Sequence, residues 1–304
     1  MLDIIGKRFW YFLISGIVIV AGLIGLFAFG LRPGIEFMSG SEVTISFDKP
    51  VDKPELIQAL AGLGYGSGQA MVRKTGADFI IDLPQLSDDA KATLRTGLTE
   101  KFGQFQDGGF QLVSAKTAAE TTRNTVIAVI ISAVLMLFYI SWAFHRMPNP
   151  LRWGTCAIVS LVHDLLVVIG VFAIFGGIFG WQVDLTFIAG VLTVIGYSIN
   201  DAIVIFDRIR ENVSKNPGVD FEVVVNNSLT ETLSRSIITG VGTLFVLISL
   251  LLFVGASIQN LVVVLLVGII TGTYSAFGTA ASLLVVWKKN EWGRFIGRKP
   301  LPAG

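Results

Sequence analysis

Six apolar stretches dominate the chain: Phe9 to Leu31, Thr125 to Phe144, Thr155 to Phe179, Val183 to Phe206, Ile237 to Gly255 and Leu261 to Trp287. Crossing a hydrocarbon core of about 30 Å takes roughly 20 helical residues, and all six are long enough. The chain therefore reads as an integral, six-span α-helical membrane protein. Composition agrees: only 15% of the residues are charged and the mean hydropathy is +0.71, whereas soluble domains carry about 25% charged residues. An ordinary cytosolic enzyme is excluded on that ground. With 23 Lys+Arg against 22 Asp+Glu, neither a basic excess for nucleic acid nor an acidic solvating tail is present. Cys156 stands alone, so it forms no intramolecular disulfide. Neither of the two histidines has metal-ligand spacing around it, and no metal or other cofactor is expected.

Lys7 and Arg8 precede the first stretch, and Ala28-Phe29-Gly30 faintly resembles a cleavage site. The apolar run exceeds the roughly 7 to 15 residues of a signal-peptide core, so it reads as a retained anchor. Lys and Arg concentrate in short cytoplasmic loops. With the N-terminus inside, the inner segments hold Lys7, Arg8, Arg146, Arg152, Arg208, Arg210, Lys215, Arg235, Lys288, Lys289, Arg294, Arg298 and Lys299. The short loops Gly180 to Gln182 and Ala256 to Asn260 hold none. Both termini are expected in the cytoplasm. Trp10, Trp142, Trp153, Trp181 and Trp287 fall at span ends, where an amphipathic ring suits the headgroup layer.

One polar segment, residues 32–123, lies between the first two spans, and this topology puts it outside the cytoplasm. Its pattern gives a strand at Glu42 to Phe47 and a helix from Pro54 to Leu63, opened by an Asp52/Glu55 capping box. Strands follow near Gln69 to Lys74 and Asp78 to Leu83. Ser87 caps a helix to Phe102 with Leu94, Leu98 and Phe102 on one stripe, and a last strand runs near Phe110 to Ala115. The order β-α-β-β-α-β is that of a ferredoxin-like α+β unit, which by itself predicts no function. The expected organisation is a first span within 1–31, the outer domain 32–123, a five-span region 124–287 with a cytoplasmic segment 207–235, and a tail 288–304. That segment breaks at Asn216-Pro217-Gly218 and resumes as a helix from Phe221 along the inner surface.

An ionisable side chain deep in a span costs about 2.5–3.5 kcal/mol on insertion scales, so each calls for a partner or a purpose. The third span holds His163 and Asp164; the fourth holds Ser198, Asn200 and Asp201. Asp201 sits about 9 Å inside the boundary marked by Asp207 and Arg208, six residues at about 1.5 Å each. Arg235 opens the fifth span, followed by Ser236, Thr239 and Thr243 at helical spacing. Adjacent helices could bring Arg235 to Asp201, and a conformational change that separates them would switch the carboxyl's proton affinity. The plain alternative is that these polar groups only pin helices together. Gly190 with Gly196, and Gly268 with Gly272, read as close-packing sites. The enzyme alternative is an intramembrane aspartyl dyad of Asp164 and Asp201, but the Gly-x-Gly-Asp turn of such enzymes is missing.

The run from Tyr197 to Asn212, Tyr-Ser-Ile-Asn-Asp-Ala-Ile-Val-Ile-Phe-Asp-Arg-Ile-Arg-Glu-Asn, resembles the SecF branch of the SecD/SecF protein-export family. So do the segment Gly34 to Gly40, the Val162-His163-Asp164 of the third span, and the stretch Asn227 to Thr239. The family is related to the resistance-nodulation-division transporters. The resemblance implies a non-enzymatic accessory subunit in the bacterial or archaeal cytoplasmic (inner) membrane. It would pair with SecD into a twelve-span unit at the SecYEG translocon, with SecA and YidC as functional associates. It would use protons as coupling ion to promote late translocation of a polypeptide at the outer domain. By position, Asp201 matches the family's proton-relay aspartate, Arg235 its functional arginine, and Asn200 a hydrogen-bonding neighbour; His163, Asp164 and Thr239 are further candidates. Glu36 and Ser39 depart from the usual Gly-Ile-Asp-Phe-x-Gly-Gly, which puts the tight-turn role of the first glycine in question. Two competing readings are a half-transporter of the same superfamily exporting a lipid or small hydrophobe, and a membrane-insertion scaffold that uses no protons.

Overall fold

The computed structural model describes residues 3–66, 68–75, 78–145, 149–253 and 258–296. Arg146, Arg298, Lys299 and part of the loop Ala256 to Asn260 lie outside them. Six helices are long and apolar enough to cross a membrane, and they coincide with the six stretches. The spans are α1 (Arg8–Phe29), α5 (Ala115–Phe144), α6 (Pro150–Phe179), α7 (Leu185–Lys215) and α8 (Phe221–Phe253). The sixth consists of α9 (Gln259–Ser275), a π-helical stretch (Ala276–Ala281) and α10 (Ser282–Lys289). Several run beyond the apolar boundaries, because a helix continues into water wherever its polar turns find partners. Thus α5 starts at Ala115, capped by the Ser114 hydroxyl on the Thr117 amide at 3.1 Å. The expected surface helix after Pro217 is instead the beginning of α8, where Val224, Val225, Ser228 and Leu229 are buried.

Glycines set the tightest contacts. A Cβ on Gly22 of α1 would lie 3.0 Å from the Gly170 Cα of α6, so the first span packs backbone to backbone against the third. Gly190, Gly268 and Gly272 seat α7 against α9, facing Val264, Val194 and Ser198 respectively. Gly196 does not join them: it has open space around it. Among the tryptophans, Trp153 turns inward, 5% exposed and edge-on to Phe206 at 5.2 Å, because Ile140, Phe144 and Phe206 form a core there.

Between α1 and α5 lies the α+β domain. After the short α2 (Ile35–Met38) come β1 (Gly40–Phe47), α3 (Lys53–Gly62), β2 (Met71–Thr75), β3 (Asp78–Leu83), α4 (Asp88–Phe102) and β4 (Phe105–Val113). The antiparallel sheet has order β2-β3-β1-β4, with Val43 opposite Ile81 and Phe110. This is the ferredoxin-like arrangement the strand and helix order implied. Alternate residues of β1 and β3, with Leu56 and Leu60 of α3 and Leu94 and Leu98 of α4, form its core. The Ser87 hydroxyl caps α4 at the Ala90 amide, 3.3 Å. Asp52 occupies the N-cap position of α3 but makes no side-chain cap bond.

The two ends of the bundle are built differently. At the end where the first and last helices meet, Arg8 is buried and bidentate to Glu291 at 2.7 and 2.9 Å, with Glu222 at 2.6 Å. At the other end the α+β domain is tied to the loop before α7. The Gly34 amide donates to the Val183 carbonyl (2.8 Å), and Gln182 donates to Asp82 (2.6 Å).

Candidate functional site

Small residues on α6, α7 and α9 let these helices approach closely enough for buried polar side chains to bond across them. Asp164 is 0% exposed. Its Oδ2 accepts from the Ser198 hydroxyl of α7 at 2.5 Å and from Ser275 of α9 at 2.8 Å. Its Oδ1 lies 2.9 Å from His163 Nδ1, and Ser160 donates to Ser275 at 2.9 Å. Each carboxylate oxygen therefore has a partner, and three helices are joined at one point. His163 Nε2 is buried without a hydrogen-bond partner among the described residues, beside the Tyr274 ring.

About one turn further along α7, Asp201 is 7% exposed and far less satisfied. Its one hydrogen bond among the described residues comes from Thr273 of α9, at a long 3.5 Å. The Tyr197 hydroxyl, one helical turn before Asp201, is buried beside Thr273 without a well-formed hydrogen bond among the described residues. Across from both is Gly240 of α8, where a Cβ would lie 3.3 Å from Thr273 Oγ1 and 3.8 Å from Tyr197 Oη.

Arg235 lies on the exposed side of α8, and no ion pair within 4 Å joins it to Asp201 among the described residues. It is near enough for its charge to act on Asp201. Thr239, one turn on, is exposed as well. Asn200 is not the expected hydrogen-bonding neighbour. Consecutive helical residues do not face each other, so with Asp201 turned inward Asn200 points outward and bonds nothing among the described residues. Asp164 and Asp201 share no hydrogen bond, which removes the geometric basis of a one-proton dyad. Thr273 and Ser275 are not among the residues the sequence singles out, although the polar run Thr271-Gly-Thr273-Tyr-Ser275 in an apolar span is a visible signal.

A second polar cluster lies between the α+β domain and the bundle. Arg73 of β2 donates to Glu42 at 2.8 Å and to Asp82 at 3.0 Å. Asn260 donates to Asp184 at 2.6 Å, and Asp184 caps α7 at the Phe187 amide. A cavity of about 580 Å³ opens among these groups. Burial pushes the Glu42 carboxyl up to about 7, with Arg73 pulling it down and Asp82 adding to the rise. Glu36 is raised as well, again chiefly by burial. In the Gly34–Gly40 segment Ser39 adopts φ 68°, ψ 153°, a conformation open to glycine with little strain. The turn survives the replacement, under strain.

Six spans, a ferredoxin-like domain after the first, and buried carboxylates on the third and fourth define a multi-pass membrane subunit rather than a soluble domain with an anchor. Residues 93–290 match the family described as protein export membrane protein SecD/SecF, C-terminal, and residues 24–51 match the SecD/SecF GG motif. The chain belongs to the SecD/SecF protein-export membrane family. It is 38% identical over 311 residues to the protein translocase subunit SecF of Thermobaculum terrenum, covering 98% of each chain. To the SecF of Anaerolinea thermophila it is 38% identical over 307 residues, covering 100% of this chain and 99% of the relative. The SecDF of Bacillus subtilis is 34% identical over 95% of this chain, which spans only 38% of that longer protein. Among solved structures, SecDF from a Thermus species, described as a translocon-associated membrane protein, superposes with TM-score 0.83. Identity there is 28%, over 94% of this chain and 38% of that one. SecDF in a super-membrane-facing form gives 0.66 at 27% identity, over 98% and 40%.

Proposed function

We propose that the chain is a non-enzymatic accessory subunit of the Sec translocase that uses the proton-motive force to promote late translocation of polypeptides. The observation that carries this reading is the state of Asp201: buried, held by one long hydrogen bond, with Arg235 in electrostatic range but unbonded to it. A carboxyl so placed is easily moved between charged and neutral forms, since desolvation and a nearby guanidinium act on it in opposite directions. Movement of α8 against α7 and α9 would change the distance to Arg235 and with it the proton affinity. Thr273 and Tyr197 supply hydroxyls at the same place. Asn200 and Thr239, on exposed faces, would meet such a relay only across an interface with another subunit.

The partner for that interface is a SecD-like chain, a reading supported by the SecDF relatives of which this chain matches less than half. The assembly acts at SecYEG, with SecA and YidC as functional associates and no nucleic acid involved. Residence in the cytoplasmic membrane with both termini inside rests on the Lys and Arg distribution and puts the α+β domain outside, where it meets the emerging polypeptide. The ties at Gln182 and Gly34 would pass helix movements to that domain. The half-transporter reading draws no support from the interior of the outer domain, where the cavity between β1 and α4 has about 20 Å³, room for a water and not for a lipid; its one favourable feature is a cavity of about 630 Å³ at the base of that domain, bordered by Leu31, Ile35, Met38, Met71 and Leu83.

The test is accumulation of secreted precursors in cells whose only copy carries Asp201→Asn, with abundance and SecD co-purification measured in parallel. Slower export at unchanged abundance and assembly is expected. Unchanged export would make Asp201 a packing residue and favour a scaffold that uses no protons.

A further inference from the structure

The bundle end that holds the Arg8–Glu291 pair contains a cavity of about 540 Å³ that the transport reading does not use. Arg152 from the first turn of α6, Arg210 from the last turns of α7 and Lys288 of α10 line it, and among the described residues no carboxylate does. The surfaces between these cations are apolar, chiefly Val213, Phe221 and Leu284.

Two of the three charges have no ion-pair partner among the described residues, and the third keeps free donors. Arg210 holds Asp207 through one nitrogen at 2.6 Å, which leaves most of its five donors available. Arg152 and Lys288 form no ion pair among the described residues; the Arg152 guanidinium stands 5.9 Å from the centre of the Trp287 ring. The N-terminal cap of α6, Asn149, also lines the cavity and makes no side-chain cap bond, so the positive end of a 30-residue helix adds to the same field. Next to Arg152, Leu151 is 86% exposed in the first turn of a helix long and apolar enough to cross a membrane.

We propose that this cavity is a binding site for the phosphate headgroup of an anionic phospholipid. Arg152, Arg210 and Lys288 bind the phosphodiester, and the apolar walls take the glycerol backbone and the start of the acyl chains. Basic pockets between helices at a membrane surface suit such headgroups. The volume lies within the range of small-ligand sites. A zwitterionic choline headgroup would bring its own cation against three others, so phosphatidylglycerol is preferred over phosphatidylcholine. A free phosphate would satisfy the cations and leave the apolar walls uncovered, which favours the lipid as source.

The experiment is native mass spectrometry of the full chain in detergent, titrated with phosphatidylglycerol, with phosphatidylcholine, and with inorganic phosphate as competitor. Phosphatidylglycerol should remain bound where phosphatidylcholine does not. A basic side chain near a membrane surface contributes about 1 kcal/mol to anionic lipid binding, about fivefold. Lys288→Gln, at an exposed position that leaves the core intact, should weaken retention about fivefold, and adding Arg152→Gln about 25-fold. The pair Arg152→Lys and Lys288→Arg should retain most of it. Unchanged retention in the double Gln variant, or equal retention of phosphatidylcholine, overturns the proposal. Displacement of the lipid by millimolar phosphate would assign the cavity to a soluble phosphate compound and overturns it equally.

Discussion

Asp164 and Asp201 are both buried carboxylates in the same helix bundle, about one turn apart in depth, yet they are held in opposite ways. Asp164 is in contact with His163, Ser198 and Ser275 and joins three helices. Asp201 has Thr273 at 3.5 Å and an arginine it does not touch. Burial therefore does not by itself mark a switchable group. What distinguishes the two is how many partners must be given up when the charge changes: several at Asp164, almost none at Asp201.

That contrast can be broken most sharply from the saturated side. Arg8, bidentate to Glu291 and bonded to Glu222, is another saturated buried charge. Removing one partner of a buried ion pair costs about 3–5 kcal/mol, so Arg8→Ala should produce the largest fall in the unfolding midpoint of the detergent-solubilised protein. Asp164→Ala leaves the Ser198 hydroxyl and His163 without their partner and Ser275 with only the Gly272 carbonyl at 3.2 Å. At about 1–3 kcal/mol for each unsatisfied buried group, a loss of about 3 kcal/mol or more is expected in the same measurement. Asp201→Asn should move that midpoint by less than about 1 kcal/mol, because one long hydrogen bond is at stake. A midpoint loss at Asp201 equal to that at Asp164 would erase the distinction.

Two smaller effects extend the comparison to the α+β domain. Glu42 is bonded to Arg73, yet its carboxyl is raised to about 7 from an ordinary 4.5. The folded state binds this proton more tightly than the unfolded state, so the contribution to stability is full below about pH 4.5 and is lost as pH rises through about 7. The protection of β2 and β3 amides, exchange rates corrected for their intrinsic pH dependence, should fall across that window, and Glu42→Gln should flatten the fall. At Ser39 the cost is backbone strain, and Ser39→Gly should stabilise the domain by about 1 kcal/mol in thermal unfolding.

The spans were legible because hydrophobic length is a local property, and the order of the α+β domain because strand alternation and helix stripes are local too. The exact helix ends were less so: α5 begins at Ala115 and α8 at Phe221 because caps and packing extend them past the apolar runs. Asp164 and Asp201 stood out as charges in apolar surroundings. Their partners did not, since Thr273 and Ser275 are 72 and 111 residues away and meet them only when α9 packs against α6 and α7. Arg8 reads in the sequence as one of several interfacial cations. Its burial depends on Glu291, at the other end of the chain.

The central claim, that Asp201 exchanges protons while Asp164 holds helices, is tested most directly by proton flux into liposomes containing the chain and its SecD-like partner under an imposed membrane potential. The account predicts that Asp201→Asn abolishes the flux at unchanged incorporation and thermal stability. Flux equal to that of the unaltered protein would contradict it.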